Sequence, residues 1–121
     1  MEQRTQGTVS DGRLVEIATA FNAAWNAGDR EGILSFFADD AVVRIVPPPA
    51  PPKRELFNGR EEIRGWIDRT LALPFVVEAS NYRAAGSVVT WDAVFPNEGK
   101  DSVPDVSEAV FRGELMTDFT P

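Results

Sequence analysis

Neither histidine nor cysteine occurs among the 121 residues, which removes the usual neutral-pH general base, the commonest metal ligand and every thiolate nucleophile. Proton chemistry therefore falls to carboxylates, one tyrosine and the basic side chains, and neither a metal site nor a cofactor is expected. Two acids are candidates for general acid–base roles. In "ELMTDFTP", strict alternation puts Met116, Asp118 and Thr120 on one face. In "VPDVSEAVF", either Asp105, Ser107, Ala109 and Phe111 or Val106, Glu108 and Val110 face inward, and Phe111 favours the first set. A carboxyl facing an apolar cavity has its pKa pushed up toward the range where it can exchange protons, whereas on a wet face it is an ordinary surface acid. Both readings stand for Asp118. Tyr82, the single tyrosine, adjoins Arg83; the two could donate together to an enolate or carboxylate, or Tyr82 could be a half-buried packing residue with its hydroxyl at a rim.

The charge balance narrows the partners. Formal net charge is −7, and from Asp92 onward seven acids face only Lys100 and Arg112. Phosphate backbones need clustered positive charge, so nucleic acid is excluded as a partner. Ten of the twelve basic residues are arginine, but they are scattered among acids and read as a solvated face. No apolar run nears the ~18 residues of a membrane helix, and "MEQRTQGTVSDGR" lacks the basic and apolar regions of a secretory signal. The expectation is a cytoplasmic protein of one domain, residues 1–121, with 1–10 as a flexible leader and no membrane association.

The elements that would position these groups follow from periodicity. Leu14, Ile17, Ala18, Phe21 and Trp25 form one helical stripe, capped by Ser10 or Asp11 and ended by Gly28. Asp29 caps a short helix, "REGILSFFA", and "AVVRIV" follows as a β-branched strand that must stop at Pro47, Pro48, Pro49, Pro51 and Pro52. That run contains Pro48-x-x-Pro51-x-Lys53, a polyproline docking pattern that also suits a stiff pocket rim. Asn58 with Glu61 resembles a capping box opening a third helix striped by Ile63, Trp66, Ile67 and Leu71, which Pro74 closes. Four strands then follow, "FVVEASNYRAA", "SVVTWDAVFPN", "SVPDVSEAVFR" and "ELMTDFTP". Helices first and an antiparallel meander last make an α+β protein.

The run "FNAAWNAGDREGILSFFADDAVV", then "NGREEIRGWI" and "LPFVVE", resembles the nuclear-transport-factor-2-like (NTF2-like, cystatin-like) superfamily, and within it the SnoaL-like polyketide cyclases and ketosteroid isomerases. The resemblance implies a cone of three helices packed on a strongly curved, mostly antiparallel sheet, with an apolar cavity and a homodimer formed through the sheet. It also implies where chemistry would sit. In the isomerases the strand after "FADDA" carries the aspartate base, and the matching position holds Ile45. Their tyrosine donor corresponds to Phe21, and a second donor, a protonated aspartate, falls near Ser107. A base and an oxyanion donor are each worth ~100-fold or more, so little isomerase activity is expected. Epoxide hydrolases of the superfamily need Arg-x-Asp on a strand, which no predicted strand carries, and a cyclase base would have to be an Asp on another strand.

In "VTWDAVF", alternation groups Trp91 with Phe95 and sets Asp92 on the other side, where it reads as structural; the resemblance turns the aromatic face into the cone. The expected lining comprises Phe21, Trp25, Ile45, Phe57 and Trp66 together with Trp91, Phe95, Ser107 and Met116, and the expected guest is a cyclic or hydrophobic small molecule. Two functions compete. One is a binding module without catalysis; the other is a cofactor-independent isomerase, cyclase or lyase acting through Asp118 and Asp105.

Overall fold

Helix α1 (Asp11–Ala27) starts where Ser10 accepts a hydrogen bond from the Arg13 N–H and stops at Gly28, whose left-handed φ of 67° turns its N–H back onto the Ala24 and Trp25 carbonyls. Its expected stripe is buried, and Asn22 is buried with it. Asp29 caps α2 (Arg30–Ser35) through the Gly32 N–H. This helix ends sooner than its sequence suggests, because Phe37 already opens strand β1 (Phe37–Ile45). A short strand with no clear sequence signal, β2 (Glu55–Asn58), precedes α3 (Gly59–Thr70). The α3 cap differs from the expected pairing: the Asn58 side chain makes no cap bond, and its N–H donates to Glu62 rather than Glu61. Strands β3 (Glu78–Ala85), β4 (Val88–Val94), β5 (Asp105–Arg112) and β6 (Leu115–Thr120) complete the chain.

The structure is a computed structural model that describes residues 9–45, 55–72, 74–96 and 105–121. The proline run with its docking pattern and the leader up to residue 8 lie outside the described residues.

Six strands pair in the order β2-β1-β6-β5-β4-β3, antiparallel except for β1 against β6. Helix α1 lies on β3 and β4, α3 lies on β1 and β2, and α2 bridges the two helices. One sheet face is thereby covered. At the centre of the core Phe21, fully buried, meets the rings of Trp25, Phe36, Phe37, Trp91 and Phe119 at centroid separations of 5.0 to 6.4 Å, mostly edge to face.

Three strands depart from strict alternation. In β3 the register slips between Ser80 and Arg83, around Asn81 at φ 55°. In β6 Phe111 faces Met116 while Val110 faces Asp118, so Thr117 is an extra residue. In β1 the register against β6 shifts between Phe37 and Val42. In β3 and β6 the bulge exchanges the inward and outward side chains beyond it, whereas in β1 Phe37, Ala41 and Val43 stay buried on both sides of the shift.

Candidate functional site

Between helices and sheet lies an unfilled volume of about 260 Å³. Helix α1 contributes Trp25 and Asn22, and α3 contributes Trp66 and Thr70. The Asn26 side chain pins the segment before β3 by donating to the Val77 carbonyl at 2.9 Å and accepting from the Val77 N–H at 2.7 Å. That two-way bond holds Phe75 and Val77 against the cavity. From the sheet come Ile45 at the end of β1, Trp91 on β4 with Phe95 just past it, Ser107 and Asp105 on β5, and Phe119 on β6.

Of the residues expected from sequence, the structure brings Trp25, Ile45, Trp66, Trp91, Phe95, Ser107 and Asp105 to this wall. Ile45 borders the cavity at the position where the resemblance puts a catalytic acid. Three expected lining residues lie elsewhere. Phe21 and Met116 are fully buried in the core, consumed by packing. Phe57 sits behind the wall, stacked on Trp66 at 6.0 Å with the Arg69 guanidinium 5.3 Å from its ring centroid, so it backs the lining rather than forming it.

Asp118 takes the surface reading, and the face it was expected to share with Met116 is not kept. The extra residue Thr117 breaks the face shared with Met116, turning Phe119 inward and Asp118 outward. There its carboxylate accepts from Arg44 Nη1 at 2.6 Å, on the side of the sheet away from the cavity. Tyr82 and Arg83 also part company. The Tyr82 hydroxyl points inward and accepts from Asn22 Nδ2 at 3.0 Å, while Arg83 reaches outward to Thr90 and Asp92. No joint donor pair forms. Asp92 keeps its structural reading: hydrogen bonds from Asn81 and then from Arg83 hold its carboxyl below the usual carboxylate range.

Asn22 is the polar residue that the sequence reading passes over. It is 7% exposed and spends its amide hydrogens on the Ala18 carbonyl and the Tyr82 hydroxyl, and among the described residues no donor reaches its Oδ1. A polar residue inside the apolar stripe, four positions after Ala18, was the available signal. Among the described residues, Asp105 is the one charged side chain on the wall, and no three acidic side chains gather as a metal site.

Helices on one face of a six-stranded, mostly antiparallel sheet, with a cavity held between, define an α+β protein of the NTF2-like class. Within that class the chain belongs to the SnoaL-like domain family, which matches residues 18–119. It is similar to a hypothetical protein of ketosteroid isomerase-like fold from Catenulispora acidiphila DSM 44928, solved in complex with trimethylamine. The two are 29% identical with a TM-score of 0.70, over 87% of this chain and 82% of that one. It is also similar to the epoxide hydrolase/cyclase-like enzyme SalBIII of pyran ring formation in the polyether salinomycin, at 16% identity and TM-score 0.74, over 92% of this chain and 90% of that one. The third likeness is to Rv0760c from Mycobacterium tuberculosis in complex with estradiol-17beta-hemisuccinate, at 18% identity and TM-score 0.71, covering 88% and 90%. The last two carry the fold alone. No helix among the described residues is long and apolar enough to cross a membrane.

Proposed function

We propose that this protein is a small-molecule binding module of the cytoplasm, acting as a homodimer, whose cavity takes a cyclic or otherwise hydrophobic guest. The observation that carries the reading is the wall itself: aromatic rings and Ile45 surround the unfilled volume, and the position of the family's catalytic acid is aliphatic. At about 260 Å³ the cavity falls just below the ~300–1,000 Å³ of sites for drug-sized ligands, which favours a compact guest or one end of a larger one. Relatives of the same fold hold trimethylamine or a steroid ester, in keeping with a small-molecule site. Steroid double-bond isomerisation is not expected, since both base and tyrosine donor are replaced.

Calorimetric titration with 2-naphthol, a neutral bicyclic probe, tests the reading. Saturable one-site heat that disappears in Ile45→Trp, where the larger side chain occupies the volume, supports it; no heat in the wild type sinks it. The enzyme reading survives on Asp105 alone, whose place on the wall would let it act as acid or base on a bound guest. Turnover of a bound ligand that Asp105→Asn abolishes would favour that reading.

A further inference from the structure

Six rings of the wall form one continuous arc. Phe95 meets Phe75 at 5.8 Å between centroids, Phe75 meets Trp25 at 4.9 Å, and Trp25 meets Trp66 at 5.3 Å. Trp66 continues to Phe119 at 6.3 Å and Phe119 to Trp91 at 6.0 Å. All six border the unfilled volume, so the arc is a lining and not merely core. Its two ends, Phe95 and Trp91, return to the same strand line four residues apart. The gap between them is occupied by Ala93, whose partner across the β4–β5 ladder is Asp105, and Trp91 itself faces Ser107. A carboxylate and a hydroxyl thus stand beside the opening of an aromatic ring of rings.

We infer that the cavity selects a tertiary or quaternary alkylammonium group, wrapped by this aromatic arc and balanced by Asp105. The inference rests on the pocket reading above and names the guest's chemistry. Aromatic faces carry negative potential, and indole, which supplies three of the six rings, is the strongest side-chain partner for a cation. Among the described residues no lining group is positively charged, so an anionic head would meet Asp105 without compensation. The formal net charge of −7 adds a field that draws cations toward the protein. A bare metal ion does not match, because it needs several oxygen ligands and the wall offers one side-chain carboxylate. A primary ammonium would want three acceptors around its N–H groups, whereas a methylated one presents apolar surface to rings.

The test compares two probes of the same shape: choline, and 3,3-dimethylbutan-1-ol, in which carbon replaces the charged nitrogen. Titration of the full chain, read by tryptophan emission and calorimetry, is expected to give choline about tenfold tighter binding than the alcohol. Asp105→Asn, at an exposed strand end, should weaken choline by roughly threefold and leave the alcohol unchanged. Trp66→Leu, which keeps apolar bulk but removes an indole face, should weaken choline more than the alcohol, with circular dichroism verifying the fold. Equal or tighter binding of the alcohol overturns the inference while leaving the pocket reading intact. Failure of both choline and the alcohol overturns it as well, and the 2-naphthol titration then says whether the pocket reading falls with it.

Discussion

Ile45 borders the cavity half-buried, surrounded by aromatic neighbours, where a charged group would lose its water. A carboxyl introduced there by Ile45→Asp should titrate above the ~3.9 of a free aspartate, since desolvation disfavours the anion. With the folded pKa above the unfolded one, stability should fall as pH rises past the unfolded value and level off above the folded one. Ile45→Ala should instead lose about 1–2 kcal/mol at every pH, less than a fully buried site because Ile45 is partly open. Urea denaturation from pH 4 to 8 checks both; parallel flat profiles would mean that position 45 faces water. The neighbours Asp118 and Phe119 make a second contrast one residue apart. Phe119→Ala removes a 4%-exposed ring that touches Phe21, Phe37, Trp66 and Trp91, and should cost ~3–5 kcal/mol. Asp118→Ala breaks only an exposed ion pair and should cost no more than about 1 kcal/mol. The reverse order in chemical denaturation would restore Asp118 to the interior.

The strand elements decide which side chains reach the site, and their bulges do so against the period-2 rule. Around Asn81 the bulge is held by a polar cluster: Asn81 Nδ2 donates to Asp92 at 2.8 Å, and Arg83 Nη2 donates at 3.1 Å. The depressed pKa of Asp92 fixes the sign of a pH effect. Its contribution to stability is fully present above the unfolded carboxylate pKa and is lost as pH falls through the lower folded value. Thermal melts should therefore show the gap between wild type and Asp92→Asn closing below about pH 4; a gap constant to pH 2 would separate the cluster from stability. These same bulges mark the limit of what could be read in advance. The stripe of α1 and the grouping of alternate residues on β4 and β5 follow from spacing, because side-chain direction in an unbroken element is periodic; which β4 face turns inward comes from the family resemblance, and which β5 face does comes from Phe111. Beyond Thr117 that regularity fails, since a bulge is set by the neighbouring strand's register and leaves no mark in the residue types. The face expected to join Met116 to Asp118 is therefore broken, and of the two readings of Asp118 the surface one holds. Phe21 and Met116 were missed for another reason: both do point inward, but which inward residues fill the core and which border its void depends on three-dimensional packing.

Across the whole molecule the helices cover one sheet face, and the other carries Val42, Val88, Val94, Val106 and Val110 between ion pairs. Val106 is 58% exposed. The proposed homodimer would cover this face, and light scattering at micromolar concentration should then give roughly twice the chain mass of 13.3 kDa. Val106→Lys, whose ammonium would lie across the ladder from Asp92, should shift the protein toward monomer without unfolding it. A monomeric wild type would remove the dimer. The placement of β6 between β1 and β5 bears on how the molecule comes into being. This strand at the middle of the sheet is the last of the six described, and its parallel partner β1 lies more than seventy residues earlier. Until β6 docks, β1 with β2 and β5 with its meander are two separate sheets, each showing an unpaired inner edge. Closing that span is slow because loop entropy is lost before the pairing rewards it, so refolding should fall in the ~millisecond-to-second range by stopped flow, and not in microseconds. During synthesis the exposed edges persist until β6 leaves the ribosome, and that interval is when neighbouring chains could pair with them and aggregate.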